Sequence, residues 1–309
     1  MTKNNDRDFT AMERRNFLKR TGIAGLGIAA GGLLVGSGVR SIAAERVTSA
    51  IGRDDRYDDK KKEEKTDTAQ EIFTAALIAE DLATTFYYNG LVGPVIQDPS
   101  LAGPGGSATT VLTTNSDDVG YIRAALSEEM MHADLLRELI GGTSFKGDPF
   151  QTFYFPTGAF TNITTFLSTL DALENAFIGA YLTAVREFGQ MAGRVEPFDD
   201  RQFDFDHKPY TRNQLTFFAE ACAAIMGVEA EHRTLGRSLA GSIPANNLCY
   251  EQTDGLKTVF NGPNSAVAAL TPFVTKGTAG FSTTGFSLAT ARNNAENVTL
   301  PCTGGLPTE

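Results

Sequence analysis

Apolar residues recur every three or four positions in four separate stretches of the chain, which is the periodicity of amphipathic α-helices. The pattern predicts four long helices, which begin near Thr68, Ser116, Asn162 and Thr211. Helices of this kind bury their apolar faces against one another, so the fold class is all-α and residues 68–241 are expected to form a four-helix bundle. The apolar faces carry, in chain order, Ile72, Ala76, Ala79, Ala83 and Phe86; Ile122, Ala125, Leu136 and Leu139; Phe166, Leu170, Leu173, Phe177, Ala184 and Phe188; Phe218, Cys222, Ile225, Gly236 and Leu239.

The helix ends are marked as well. Thr68 with Glu71 and Thr211 with Gln214 have the spacing of a capping box, in which two side chains satisfy free N–H groups of the first turn. Ser116 suits the start of the second helix. Glycines are expected to end the helices, at Gly90, Gly141, Gly142 and Gly241.

The segments outside the helices give the domain organisation. Residues 91–115 and 192–210 are loops, and 143–160 is expected to form a long crossover between the two helix pairs. Residues 242–309 are a loop-rich C-terminal appendage with one modest helix near Ser265 to Val274.

Glutamate and histidine residues interrupt the apolar faces in a repeated order. Two helices each carry one Glu followed seven residues later by Tyr, and the other two each carry a Glu-x-x-His sequence. Residues three apart lie on one side of a helix, so each Glu-x-x-His offers a carboxylate and an imidazole to the same point. The chain is therefore a duplicated helix pair: Glu80 and Tyr87, Glu129 and His132, then Glu174 and Tyr181, Glu229 and His232.

Four carboxylates on apolar faces require compensation, because an unpaired charge in an apolar interior costs several kcal/mol. Two divalent metal ions balance four carboxylates, and neutral imidazoles complete the coordination without adding charge. Four glutamates and two histidines facing inwards are the ligand set of a carboxylate-bridged dimetal site in a four-helix bundle. The predicted metal ligands are Glu80, Glu129, His132, Glu174, Glu229 and His232.

Over residues 68–241 this pattern resembles the ferritin-like superfamily. The stretches Tyr154-Phe155-Pro156 and Leu170 to Tyr181, with the export signal described below, are similar to exported bacterial ferritin-like proteins related to plant desiccation-related proteins. The resemblance implies that Glu129 and Glu229 bridge the metals, that Glu80 and Glu174 are terminal ligands, and that each histidine binds one metal. Tyr87 and Tyr181 are expected to lean back over the turns above Glu80 and Glu174, as hydrogen-bond donors or one-electron relays; ordinary packing is the alternative.

The resemblance leaves the reaction open. The leading hypothesis is di-iron redox chemistry with dioxygen or peroxide, such as Fe(II) oxidation or peroxide detoxification in metal or stress handling. A dimanganese catalase-like enzyme uses nearly the same ligands, so the sequence does not decide between iron and manganese. The competing class is a non-catalytic desiccation or stress protein whose metals only stabilise the bundle. A homo-oligomer is compatible with the sequence.

The N-terminal residues predict export. Arg14-Arg15-Asn16-Phe17-Leu18-Lys19 resembles the twin-arginine motif and precedes a weakly apolar, Gly-rich segment, so residues 1–44 are interpreted as a signal peptide. An uncleaved membrane anchor is the alternative. Residues 45–67 are a charged linker. The twin-arginine translocase is then a partner during export, and the location is periplasmic or extracellular.

Charge and cysteine content bear on the remaining partners. The net charge of −10 becomes about −14 without residues 1–44, which makes nucleic acid a poor partner and suits metal cations. Cys249 and Cys302 are a candidate disulfide in an oxidising compartment, whereas Cys222 is expected in the core. His207 has no glutamate at the same spacing and is left outside the site.

Overall fold

The computed structural model describes residues 67–93, 95–96, 116–195, 203–204 and 209–295. Four long helices dominate this part of the chain: α1 (Ala69–Val92), α2 (Ser116–Leu139), α3 (Ile163–Arg194) and α4 (Arg212–Leu239). Two shorter helices follow, α5 (Ala266–Val274) and α6 (Leu288–Ala295). The predicted all-α bundle is confirmed. None of these described helices is long and apolar enough to cross a membrane.

Short strands and one 3₁₀ helix complete the described elements. The 3₁₀ helix is Phe145–Gly147, and the strands are β1 (Thr152–Phe153), β2 (Phe203–Asp204), β3 (Pro209–Tyr210) and β4 (Phe286–Ser287). Strand β1 pairs with β4 and β2 pairs with β3, both antiparallel. The predicted signal peptide (1–44), nearly all of the linker (45–67), His207 and Cys302 lie outside the described residues.

Side-chain contacts give the direction of each helix. In α1 and α3, Tyr87 meets Glu174 while Tyr181 meets Glu80, so the two helices are antiparallel. Helices α3 and α4 are also antiparallel, because Asp171 contacts Arg237 while Asn175 contacts Arg233. The same relation holds for α2 and α4, where His132 contacts Glu229 and His232 contacts Glu128.

It follows that the consecutive helices α2 and α3 run in the same direction. The chain must therefore travel back along the bundle between Leu139 and Ile163, as expected for a long crossover. The Arg137 guanidinium fastens this segment to α2, since it donates to the Asp148 carboxylate at 2.6–3.0 Å.

The predicted helix starts are confirmed at both capping boxes. Thr68 and Thr211 accept hydrogen bonds from the backbone N–H groups of Glu71 and Gln214, whose side chains bond back to the caps. Gly90 does not end α1, which continues to Val92, so that prediction was wrong. A Cβ at position 90 would lie 2.3 Å from Cε2 of Phe166, which shows that glycine is needed there for close helix packing.

Aromatic side chains close the bundle core on both sides of its centre. On one side Phe73 packs against Phe188 and Phe218, with ring centroids 5.0 and 4.9 Å away. On the other side Phe86 stacks on Phe166 at 4.8 Å and contacts Phe155 of the crossover at 5.3 Å. The rings of both layers are buried, so the polar centre between them is flanked by apolar side chains on either side.

The C-terminal appendage packs against the bundle and shares its core. Val259, Val267 and Leu270 are buried. Helix α6, which the sequence pattern did not predict, packs against α1 and buries Leu288, Ala291 and Ala295. Two carboxylates anchor the loop before α5. Glu187 accepts from the Val259 N–H at 2.9 Å, and Asp67 accepts from the Asn261 N–H at 2.9 Å.

This anchor predicts a pH-dependent stability. Burial and the nearby Asp67 charge raise the pKa of Glu187 from 4.5 to about 8, so its contribution is fully present below pH 4.5 and is lost as pH rises through 8. Glu187→Gln keeps an acceptor for Val259 and cannot ionise. In metal-free protein we expect this variant to melt about 2–4 °C above the wild type near pH 9 and to match it near pH 5.

The measurement is the melting temperature from pH 5 to 9, followed by circular dichroism. Glu220→Gln is the matched control, because Glu220 is an exposed glutamate on α4. A difference between the wild type and Glu187→Gln that stays constant across this pH range would contradict the assignment.

Candidate metal centre

The six predicted ligands converge at the middle of the bundle, although they come from four helices. Helix α1 contributes Glu80 and α3 contributes Glu174, while α2 and α4 each contribute a Glu and a His one turn later. They form two overlapping groups, within each of which the ligand atoms lie no more than 4.8 Å apart: Glu80, Glu129, His132 and Glu229; Glu129, Glu174, Glu229 and His232. Glu129 and Glu229 belong to both groups, so each stands between two potential metal positions.

Both imidazole rings turn Nδ1 towards this centre. His132 Nδ1 lies 3.3 Å from Glu80 Oε2 and 3.2 Å from Glu229 Oε1. His232 Nδ1 lies 3.0 Å from Glu129 Oε1 and 3.6 Å from Glu229 Oε2. Each histidine therefore lies closer to the glutamate of the opposite Glu-x-x-His than to its own, which links α2 and α4 through the site.

The cluster is deeply buried and poorly satisfied by hydrogen bonds. The four glutamates are 0–2% exposed. Despite the short distances, several of their oxygens and both Nδ1 atoms lack a hydrogen-bond partner of good geometry, and a buried polar atom in this state costs about 1–3 kcal/mol. These unsatisfied atoms are Glu80 Oε2, Glu174 Oε2, both oxygens of Glu129 and of Glu229, and Nδ1 of His132 and His232. Carboxylate and imidazole atoms that point at one another, without partners, fit divalent metal ions.

The pKa shifts of the ligand side chains in the metal-free cluster also fit a site for divalent cations. Burial, reinforced by the charge of Glu229, raises the pKa of both Glu129 and Glu174 well above its usual value. Burial alone would lower the pKa of His132, but Glu80 and Glu229 raise it to about 10. Burial would raise the pKa of Glu229, yet the two imidazoles lower it. Without metal, protons on Glu129, Glu174 and the two imidazoles thus offset the negative charge of the cluster, and metal ions must displace them.

The two tyrosines bond across the bundle and not over their own helices. Tyr87 of α1 donates to Glu174 Oε1 of α3 at 2.6 Å, and Tyr181 of α3 donates to Glu80 Oε1 of α1. Both tyrosines are therefore hydrogen-bond donors to ligand carboxylates, but the acceptor is the glutamate of the facing helix and not that of the same helix, because the antiparallel register brings each hydroxyl group opposite it. Burial and the facing carboxylates raise the pKa of both phenols well above 10, so both remain protonated donors.

Three further polar side chains lie beside the ligands and are not part of the predicted set: Glu128, Arg233 and Glu251. Glu128 places Oε2 2.8 Å from His232 Nε2. Arg233, which follows His232, donates to Asn175 Oδ1 and Glu251 and so fastens the appendage beside the site. The contact of Glu128 follows from the register of α2 against α4, and that of Arg233 from the register of α3 against α4. Nothing in the sequence points to Glu251.

Comparison with known proteins supports the fold. Residues 68–193 match the family described as the ferritin-like domain, a segment that contains α1, α2 and nearly all of α3. Helix α4, with Glu229 and His232, follows the matched segment. No curated protein and no solved structure matches the chain. The match and the four-helix architecture together show that the protein contains an all-α, ferritin-like domain.

Proposed function

We propose that this protein binds two divalent metal ions between the four helices and uses them for redox chemistry with dioxygen or peroxide. The observation that carries the proposal is the pair of overlapping ligand groups, which share Glu129 and Glu229. Shared carboxylates keep two cations close together, and four carboxylates neutralise two divalent charges. Glu129 and Glu229 are the proposed bridging ligands, and Glu80, Glu174 and the two histidines are the proposed terminal ligands.

Iron is the proposed metal, and manganese is the alternative that the same ligand types accept. The metal pair would supply the electrons for reducing dioxygen or peroxide, as in Fe(II) oxidation or peroxide removal. The chain's own groups would orient and shield it. Tyr87 and Tyr181 fix the terminal carboxylates through their hydroxyl groups, and the aromatic layers around Phe73 and Phe86 exclude water.

A structural metal site is the second candidate. The origin of the ligands in all four helices favours it, because a metal pair at this point would hold the helices together whether or not it turned over a substrate. In that case the metals would replace the protons of the cluster and stabilise the bundle, as proposed for a non-catalytic desiccation or stress protein. Both candidates share the dimetal site and differ in turnover.

We further propose that the protein acts outside the cytoplasm. The twin-arginine motif at Arg14-Arg15 supports this, together with the acidic charge of the chain, which suits metal handling. Translocation by the twin-arginine pathway allows metal to be inserted before export.

Metal stoichiometry tests the dimetal site. We expect about two Fe(II) or Mn(II) ions per chain by mass spectrometry, and a melting temperature raised by about 5–10 °C at metal concentrations near 100 times Kd. Glu129→Gln removes one shared carboxylate charge and should lose at least one metal and most of this stabilisation. Glu138→Gln, an exposed site on the same helix, is the control. Metal-free protein whose melting temperature does not respond to either ion would overturn the proposal.

Turnover separates the two candidate functions. Anaerobically loaded Fe(II) protein is mixed with dioxygen or hydrogen peroxide, and Fe(III) formation and peroxide loss are followed. Oxidation that is faster in the wild type than in Glu129→Gln supports the redox function. Two bound metals without any turnover would favour the structural one.

The tyrosine hydrogen bonds predict a specific kinetic effect. Tyr87→Phe and Tyr181→Phe each free one oxygen of a terminal carboxylate, so Fe(II) oxidation should slow by roughly 10–100-fold while the metal content stays near two. Tyr88→Phe is the matched control, because the buried Tyr88 hydroxyl accepts from Asn294 Nδ2 at 2.7 Å, away from the cluster. If Tyr88→Phe slowed oxidation as much as the other two variants, the effect would reflect packing alone.

A further inference from the structure

The two histidines of the cluster are held differently, although the helix pairs that carry them are duplicated. His232 directs Nδ1 to the cluster and places Nε2 2.8 Å from Glu128 Oε2. Within the described part of the chain, the ion pairs of His132 all run through Nδ1. His132 is also the more accessible of the two, with 12% of its side chain exposed against 3% for His232.

The register of α2 against α4 explains this asymmetry. In the antiparallel pair each histidine meets the glutamate of the opposite Glu-x-x-His, so this register predicts that the residue directly before that glutamate faces the same histidine. In α2 this residue is Glu128, which meets His232. In α4 the equivalent residue is Val228, and its side chain has no hydrogen-bond acceptor for His132.

An acceptor on Nε2 matters for a metal bound through Nδ1. A carboxylate that accepts the Nε2–H fixes the tautomer whose Nδ1 lone pair faces the metal, holds the ring orientation and makes the ligand more basic. Loss of such a partner typically weakens metal affinity by about 10–100-fold. The metal position beside His232 has this support, and among the described residues no carboxylate is paired with Nε2 of His132.

We propose that Glu128 is a positioning residue that makes the two metal positions unequal, so that the position at His232 binds tightly and the position at His132 is the weaker and more readily exchanged one. This inference rests on the proposed dimetal function. Beyond that function, the inference predicts that the two metals bind and dissociate in separate steps. The exchangeable metal lies beside His132, the more exposed of the two imidazoles.

Stepwise titration with Co(II) alone tests this inference, because Co(II) gives a visible absorption for each bound ion. The metal-free full-length protein is titrated anaerobically, with calorimetry as a second measure. We expect two binding steps whose dissociation constants differ by about 10–100-fold. Glu128→Ala should weaken the tighter step by a similar factor and leave the weaker step unchanged. Glu128→Gln, which keeps an acceptor without the charge, should recover part of the loss.

A second variant adds a contact, so that the test does not depend only on variants that remove one. Val228→Glu gives His132 the partner that His232 already has, so the weaker step should tighten by about tenfold or more and the two steps should approach each other. Glu231→Ala is the charge-matched control for Glu128→Ala, because Glu231 is an exposed residue next to His232. It should leave both steps unchanged, and circular dichroism checks that each variant is folded.

The outcomes separate this inference from the function on which it rests. Two equal steps in the wild type, or equal weakening of both steps in Glu128→Ala, would overturn the unequal positions and leave the dimetal site intact. A failure of Val228→Glu to tighten the weaker step in folded protein would also overturn it. Absence of any Co(II) binding in the wild type would overturn the dimetal proposal as well.

Discussion

Four carboxylates meeting at one buried point are the constraint on which the rest of the structure depends. No helix could keep Glu80, Glu129, Glu174 or Glu229 in an apolar interior alone, since the cost of an uncompensated charge exceeds what one helix face contributes. Each carboxylate is tolerable only when the other three helices bring its partners: an imidazole, a phenol or a shared cation. The bundle and the site must therefore form together. The aromatic layers above and below the site lower the local dielectric, which strengthens the interactions among its charged and polar groups.

The duplicated spacings bring these partners together, because the helices that carry them pack antiparallel and in register. In an antiparallel pair, a seven-residue offset between Glu and Tyr on both helices puts Tyr87 beside Glu174 and Tyr181 beside Glu80 simultaneously. The same reasoning holds for α2 and α4, where a three-residue offset brings each histidine to the glutamate of the opposite helix. One spacing repeated twice thus gives reciprocal contacts. The spacings are informative because they encode how helices face each other and not only which residues share a face.

This explains how much of the molecule the sequence could reveal. The helices, their caps and the six converging side chains follow from periodicity, because burial of an apolar stripe leaves little freedom in which residues face inwards. The tyrosine partners do not follow from periodicity, because the apolar face of a single helix does not show which residue of the facing helix lies opposite each hydroxyl group. Gly90 was misread for a similar reason: its role is set by Phe166 on another helix, which local sequence does not show. The helix α6 has a short, mixed pattern and depends on docking against α1, so tertiary contacts and not propensity determine it.

The metal-free cluster also indicates how metal loading would be coupled to the bundle. High pKa values at His132, Glu129 and Glu174 mean that protons occupy the site when metal does not. Protons neutralise charge but cannot join four helices, because each one satisfies only a pair of atoms, whereas a metal ion contacts ligands from several helices at once. Exchange of protons for metal should therefore leave the helix arrangement in place and increase its rigidity. Because α4 supplies both a shared carboxylate and a histidine, while Arg233 on the same helix holds the appendage, that rigidity would extend from the site to the C-terminal part of the chain.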